Sequence, residues 1–175
     1  MIKNENMHIY GGIDPGKTGG VVFLDENGGV VFSCVTPLIT NKKGKTEYNV
    51  QEMVNALQSF KADGSQMFLC IENVHAMPGQ GVTSMFSFGR GLGLWEGIVA
   101  ALRIPTIMVR PQEWQKDILM GLKAGNTKQA SAIFCSRRWP SDQWTATERS
   151  RVPHTGLTDA ACLALYGMKT QRKMI

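Results

Sequence analysis

The chain has 175 residues, 43% of them hydrophobic and 19% charged, which excludes wholesale disorder and suits one domain burying roughly 70% of its unfolded surface. No apolar run approaches the ~18 residues that cross a bilayer, and residues 1–6 lack the long apolar core of a secretory signal, so a soluble cytoplasmic protein is expected. The net charge of +5 is uneven: residues 1–109 hold 8 Lys/Arg against 9 Asp/Glu and residues 110–175 hold 11 against 5, which points the C-terminal half towards a polyanion such as nucleic acid.

In chain order, residues 8–13 read as a first strand ending in the turn Asp14-Pro15-Gly16. Residues 19–24 read as a second strand and residues 30–35 as a third, with the hairpin signal Asp25-Glu26-Asn27-Gly28-Gly29 between them. Residues 40–46, with Lys42, Lys43 and Lys45, read as a polar loop. Residues 50–61 carry Met53, Val54, Leu57 and Phe60 at helical spacing. Residues 67–72 are a short apolar strand of the buried kind, and a Gly-rich stretch follows at 78–81. Residues 86–102 predict a long helix whose Gly89, Gly91, Gly93 and Gly97 permit close approach by another helix. Residues 106–109 predict a strand, 111–119 and 127–138 two helices, 139–153 a polar loop bearing tryptophans, and 157–168 a final helix. Three hairpin-linked strands followed by alternating helices and strands predict an α/β protein with one mixed sheet flanked by helices, a single domain over 1–175. Cys34, Cys70, Cys135 and Cys162 form no Cys-x-x-Cys pair and read as buried free thiols.

Gly11-Gly12-Ile13-Asp14-Pro15-Gly16-Lys17-Thr18 satisfies the phosphate-loop pattern G-x-x-x-x-G-K-[ST]. A phosphate loop requires a helix directly after Lys-Thr, because the free amides of the helix N-terminus hold the phosphates. Here a glycine pair and the strand former Val21-Val22-Phe23-Leu24 follow. Asp14 would put a carboxylate into a cradle for anions, and Pro15 would remove an amide donor. Asp14-Pro15-Gly16-Lys17-Thr18 also fits the phosphate turn of actin-like kinases, which need two such lobes. No nucleotide cofactor is expected.

Asp14 instead reads as the functional residue. It ends a buried strand, Glu72 ends the apolar strand Phe68-Leu69-Cys70-Ile71, and Asp159 opens the apolar helix Ala160-Ala161-Cys162-Leu163. Any one of these has an ordinary structural role available, such as a helix cap or a solvated strand end. If the strands of Asp14 and Glu72 are neighbours, their carboxylates converge and repel unless a divalent cation lies between them. Hard oxygen ligands favour Mg²⁺ or Mn²⁺, and two such ions suit in-line attack of water on a phosphodiester.

At these residues the sequence resembles a family. Ile13-Asp14-Pro15-Gly16 with its hairpin, Ile71-Glu72-Asn73-Val74, and Thr158-Asp159-Ala160-Ala161 are similar to the RuvC-type Holliday-junction resolvases of the ribonuclease H-like superfamily. Residues 77–86 (MPGQGVTSMF) and Pro111-Gln112-Glu113-Trp114 resemble the phage branch of that family. The resemblance implies a ribonuclease H-like mixed sheet, three antiparallel strands followed by parallel ones. It implies a homodimer that binds branched DNA at a four-way junction and nicks two opposed strands with Mg²⁺, two ions per site, Mn²⁺ substituting. Asp14, Glu72 and Asp159 match the family's acids, and residues 86–102 match its dimer-forming helix. Lys116 and Lys128 match basic residues near the scissile phosphate; His75, Lys123, Arg137 and Arg138 complete the expected DNA-contacting set.

Two departures stand out. The family places an Asp or His three or four residues before the last acid, where this chain has Gly156 and Thr155. His154 is then the nearest candidate ligand or general base, reaching in from the loop before the helix, with water as the alternative. Some members place an aromatic wedge three residues after the second acid, where this chain has His75; Phe86 and Phe88 are alternatives. A non-catalytic junction binder on the same fold is the rival reading, and a phosphate-loop ATPase a more distant one.

Overall fold

A computed structural model of the chain describes residues 7–62, 64–73, 75, 79, 81–122 and 127–174. Its centre is β1 (His8–Asp14). Antiparallel β2 (Gly20–Leu24) and then β3 (Val30–Val35) lie on one side of it. Parallel β6 (Gln66–Glu72) and then β7 (Thr106–Val109) lie on the other, giving the order β3-β2-β1-β6-β7. This is the expected mixed sheet. The apolar run Val21-Val22-Phe23-Leu24 leaves β2 buried on both faces, as a strand between two helical layers must be.

The period-2 alternation of strand side chains divides the core in two. Ile9 and Ile13 of β1, with Val21, Phe23, Leu69 and Ile71, face α1 (Val50–Ala62) and α2 (Val82–Ala101) through Met53, Leu57, Trp95 and Ile98. Tyr10, Val22, Leu24 and Cys70 face α3 (Pro111–Ile118), α4 (Thr127–Arg138) and α5 (Thr155–Met174) through Trp114, Cys135, Ala160 and Leu163. All four cysteines are free, and Cys70, Cys135 and Cys162 are buried. No helix of the described residues is long and apolar enough to cross a membrane.

The Ala-rich face of α5 lies directly on β1, with Gly12 at the contact. A Cβ at Gly12 would stand 1.9 Å from the Ala160 carbonyl oxygen and 2.4 Å from the Ala164 nitrogen. Both obstacles are backbone, so only a shift of the helix makes room. Gly12→Ala should therefore cost ~3 kcal/mol or more in urea unfolding; a loss under ~1 kcal/mol would show that α5 is free to move.

Three regions differ from expectation. The stretch expected as a polar loop at 40–46 belongs to a small hairpin of its own, β4 (Leu38–Thr40) against β5 (Thr46–Tyr48), with Thr40 opposite Thr46. Helix α2 starts at Val82, ahead of Phe86, and α5 extends from Thr155 to Met174, beyond 157–168 at both ends. The extra C-terminal turns are polar. Lys169 pairs with Asp117 of α3 at 2.9 Å, and Arg172 and Lys173 sit in the last turn, where cations oppose the helix dipole.

Candidate active site

The last residue of β1 is Asp14 and the last of β6 is Glu72. The strands are parallel neighbours with Ile13 opposite Ile71, so both acids leave the same end of the sheet. The C-terminal edge of parallel strands is where open α/β sheets place their sites. Asp159 comes from the start of α5. A parallel bridge between Gly19 and Gly156 holds that helix end against the β1–β2 turn. Asp14 and Asp159 line one cleft of about 740 Å³.

The turn itself is tightly held. The Gly16 N–H donates to Asp14 Oδ1 at 3.3 Å, the Gly19 N–H to the Gly16 carbonyl at 2.9 Å, and the Thr36 hydroxyl to the same carbonyl at 2.7 Å. β2 follows directly after this turn. The Gly-Lys-Thr pattern is thus a strand-to-strand turn, with no helix N-terminus to hold phosphates.

Glu72 is not among the residues lining this cleft, and the Trp114 indole N–H donates to its Oε1 at 2.9 Å. Burial first, and then the charge of Asp14, push its carboxyl up from 4.5 to about 7. The Trp114 bond pulls the other way, and Asp159 adds a smaller push. Glu72 therefore feels the charges of both Asp14 and Asp159. Among the described residues no three Asp, Glu, His or Cys side chains already stand as a closed metal cage. The donor set nonetheless fits a hard divalent cation. Glu72 does not ionise cheaply beside Asp14 and Asp159, and a cation between them would remove that cost.

His154 has a structural task. It immediately precedes α5, its carbonyl accepts from the N–H of Leu157 (3.0 Å) and Thr158 (3.2 Å), and its Nδ1 also faces the Leu157 N–H at 3.3 Å. Burial lowers its pKa. It is not among the residues lining the cleft, whereas Thr155 is. Position 156 has no room for a ligand of any kind. A Cβ there would stand 2.3 Å from the Thr18 carbonyl oxygen and 2.5 Å from Gly19 backbone atoms. The close approach that positions Asp159 thus forbids a side chain three residues before it.

The expected DNA-contacting residues are more scattered. Lys116 is exposed on α3, and Arg137 and Arg138 are exposed at the end of α4, with the Arg138 guanidinium 5.5 Å from the Trp139 ring centre. His75 is exposed. None of these four lines the cleft. Lys128 lies in the first turn of α4, its side chain outside the described structure, and Lys123 lies outside the described residues. Both alternative wedges, Phe86 and Phe88, line the cleft, together with three cations outside the expected DNA-contacting set: Lys17, Lys45 and Arg90. Trp114, 42 positions from Glu72, was not expected as its partner, although Pro111-Gln112-Glu113-Trp114 carries part of the resemblance.

No protein-family model and no curated protein sequence matches the chain. Solved structures do. Thermus thermophilus RuvC in complex with a Holliday junction substrate aligns over 94% of this chain and 96% of its own, with a TM-score of 0.56 at 13% identity. A further T. thermophilus RuvC structure aligns over the same shares, with a TM-score of 0.52 at 18% identity. The chain therefore has the ribonuclease H-like fold of RuvC, as the resemblance implied.

Proposed function

We propose that the chain is a divalent-metal-dependent DNA endonuclease that resolves four-way junctions by paired nicks, acting as a homodimer. The supporting observation is the convergence of Asp14, Glu72 and Asp159 at one end of a sheet with the RuvC fold. Asp14, Glu72 and Asp159 are the residues that would hold Mg²⁺ or Mn²⁺, one ion or two. When bound, such ions supply the positive charge that favours attack of water on phosphorus and departure of the leaving oxygen. The chain's own residues do the rest. Trp114 fixes the direction of Glu72, the bonded Pro15–Thr18 turn fixes Asp14, and the α5–turn bridge fixes Asp159. Lys17, Lys45 and Arg90 give the cleft the positive rim that a phosphate strand needs beside three acids. Lys116 and Lys128 are proposed to steady the strand from α3 and α4.

One observation favours a non-catalytic junction binder: position 156 is closed and His154 is committed to capping α5, so the family's fourth ligand is missing. Incubating a labelled four-way junction and a linear duplex in Mg²⁺ and, separately, Mn²⁺ decides between the readings. Paired symmetric nicks on the junction alone are expected. Tight junction binding without nicks in either metal would establish the binder instead.

The dimer is proposed to form along α2. Gly89, Gly93 and Gly97 recur every four residues there, and a Cβ on any of them would meet open space. Gly91 differs: a Cβ would stand 2.3 Å from the Tyr48 hydroxyl and 2.5 Å from the Pro15 carbonyl, so its smallness serves the fold. Gly93→Gln should thus yield a monomer in sedimentation velocity with an unchanged circular dichroism spectrum. A variant that stays dimeric would remove α2 as the interface.

A further inference from the structure

The hairpin β4–β5 carries Lys42, Lys43 and Lys45 in its turn, with no acid from Leu38 to Thr46. It lies in the half of the chain whose net charge is slightly negative, so a count of charge by halves hides it. Its turn is built rather than slack. Asn41 Oδ1 accepts the N–H groups of Lys43 and Lys45, each at 3.0 Å, the Asn41 N–H donates to the Lys45 carbonyl at 2.9 Å, and Gly44 takes the left-handed conformation at φ 74°. All residues from 41 to 46 are exposed.

The base of this hairpin is fastened to the turn that carries Asp14. Lys17 Nζ donates to the Thr46 carbonyl at 2.6 Å and lies 5.8 Å from the centre of the Tyr48 ring. Tyr48 is buried, its hydroxyl donates to the Ser87 carbonyl of α2 at 3.0 Å, and it occupies the space that Gly91 leaves open beside Pro15. The lysine of the misleading phosphate-loop pattern thus acts as a latch between the catalytic turn and the hairpin. Lys45 lines the same cleft as Asp14 and Asp159. Its pair with Glu47 is long, 4.0 Å, and exposed, so little holds that charge back from another anion.

We infer that the β4–β5 hairpin is a fixed DNA-gripping arm, whose Lys42, Lys43 and Lys45 contact phosphates on the strand running out of the cleft. This rests on the nuclease reading above. Three acids at the cut site repel a polyanion, and a line of cations beginning at Lys17 and Lys45 and running outward along a rigid hairpin offsets that repulsion. Residues 41–45 form the turn between the two strands, so Lys42, Lys43 and Lys45 stand as a cluster within four positions of Thr46. One phosphate for each of three neighbouring lysines is roughly three nucleotide steps at ~3.4 Å each. The contacted phosphates are therefore those within about three nucleotides of the scissile one.

The test compares wild type, a Lys42→Gln/Lys43→Gln/Lys45→Gln variant and the corresponding triple Arg variant, binding a four-way junction across a salt series in Ca²⁺. Each lost phosphate contact reduces the slope of log K against log[salt] by about 0.9, so the Gln variant should lose about three units of slope per subunit. Phosphate-ethylation interference should disappear within about three nucleotides of the cut site, and the Arg variant should keep both properties. A Gln variant with the wild-type slope and interference pattern overturns the arm. So does an Arg variant as impaired as the Gln one, because shape rather than charge would then be at work. A wild-type chain that binds no branched DNA overturns the nuclease reading, and the arm with it.

Discussion

Asp14→Asn should lower single-turnover junction cleavage at least ~10³-fold, the scale expected when charge stabilisation at a reacting phosphate is withdrawn. Junction affinity at fixed salt should be unchanged or slightly tighter. The substitution keeps size and shape, and an amide oxygen at the same place still accepts the Gly16 N–H. What it removes is one negative charge at the point where β1, β6 and α5 meet. Under the proposed function that charge helps hold a divalent cation and is unfavourable for DNA, so catalysis and binding should respond in opposite directions. Parallel gel-shift and cleavage assays would separate them. Cleavage at the wild-type rate would remove Asp14 from the site, and joint loss of cleavage and binding would mean that the turn had collapsed.

The parts of this arrangement legible in the sequence were those set by local chemistry. Strands β1, β2 and β3 announced themselves through apolar runs and the Asp25–Gly29 turn, and the acids through their place at the ends of apolar segments. Other parts depended on partners distant in sequence. Strands of three residues, Leu38–Thr40 and Thr46–Tyr48, are too short to show a period, and their lysines read as loop. Contacts with distant partners, Lys17 at the Thr46 carbonyl and Tyr48 against Gly91, 43 positions on, make the hairpin a fixed body. The early start of α2 was masked by a glycine-rich helix whose residues 82–90 are mostly exposed, so burial could not mark its first turns. The expectation of His154 as a ligand rests on its distance from Asp159 in sequence. Its use as a cap follows from where α5 begins, two residues earlier than expected. The closure of position 156 is a backbone-to-backbone contact with Thr18 and Gly19, and no property of either segment alone predicts it.

Glu72→Gln should abolish cleavage while making the metal-free protein more stable at pH 8. The Glu72 carboxyl sits near 7 in the folded chain against 4.5 ordinarily. Below about pH 4.5 it is protonated in both states and contributes no pH dependence. Between 4.5 and 7 the unfolded chain ionises while the folded one keeps its proton, so folding stability falls as pH rises. Above 7 the loss is complete, at up to ~3 kcal/mol for a shift of this size. Glutamine cannot ionise, yet its Oε1 can still accept the Trp114 N–H, so the variant escapes the penalty without leaving the indole unpaired. The stability gain over wild type should therefore be absent at pH 4.5 and largest at pH 8. Mg²⁺ or Mn²⁺ at pH 8 should narrow it by stabilising the wild type more than the variant. Urea unfolding of both proteins at the two pH values, with and without metal, gives all four comparisons. A variant no more stable than wild type at pH 8 would mean that Glu72 ionises without strain, and the argument that three crowded carboxylates call for a cation would lose its physical basis.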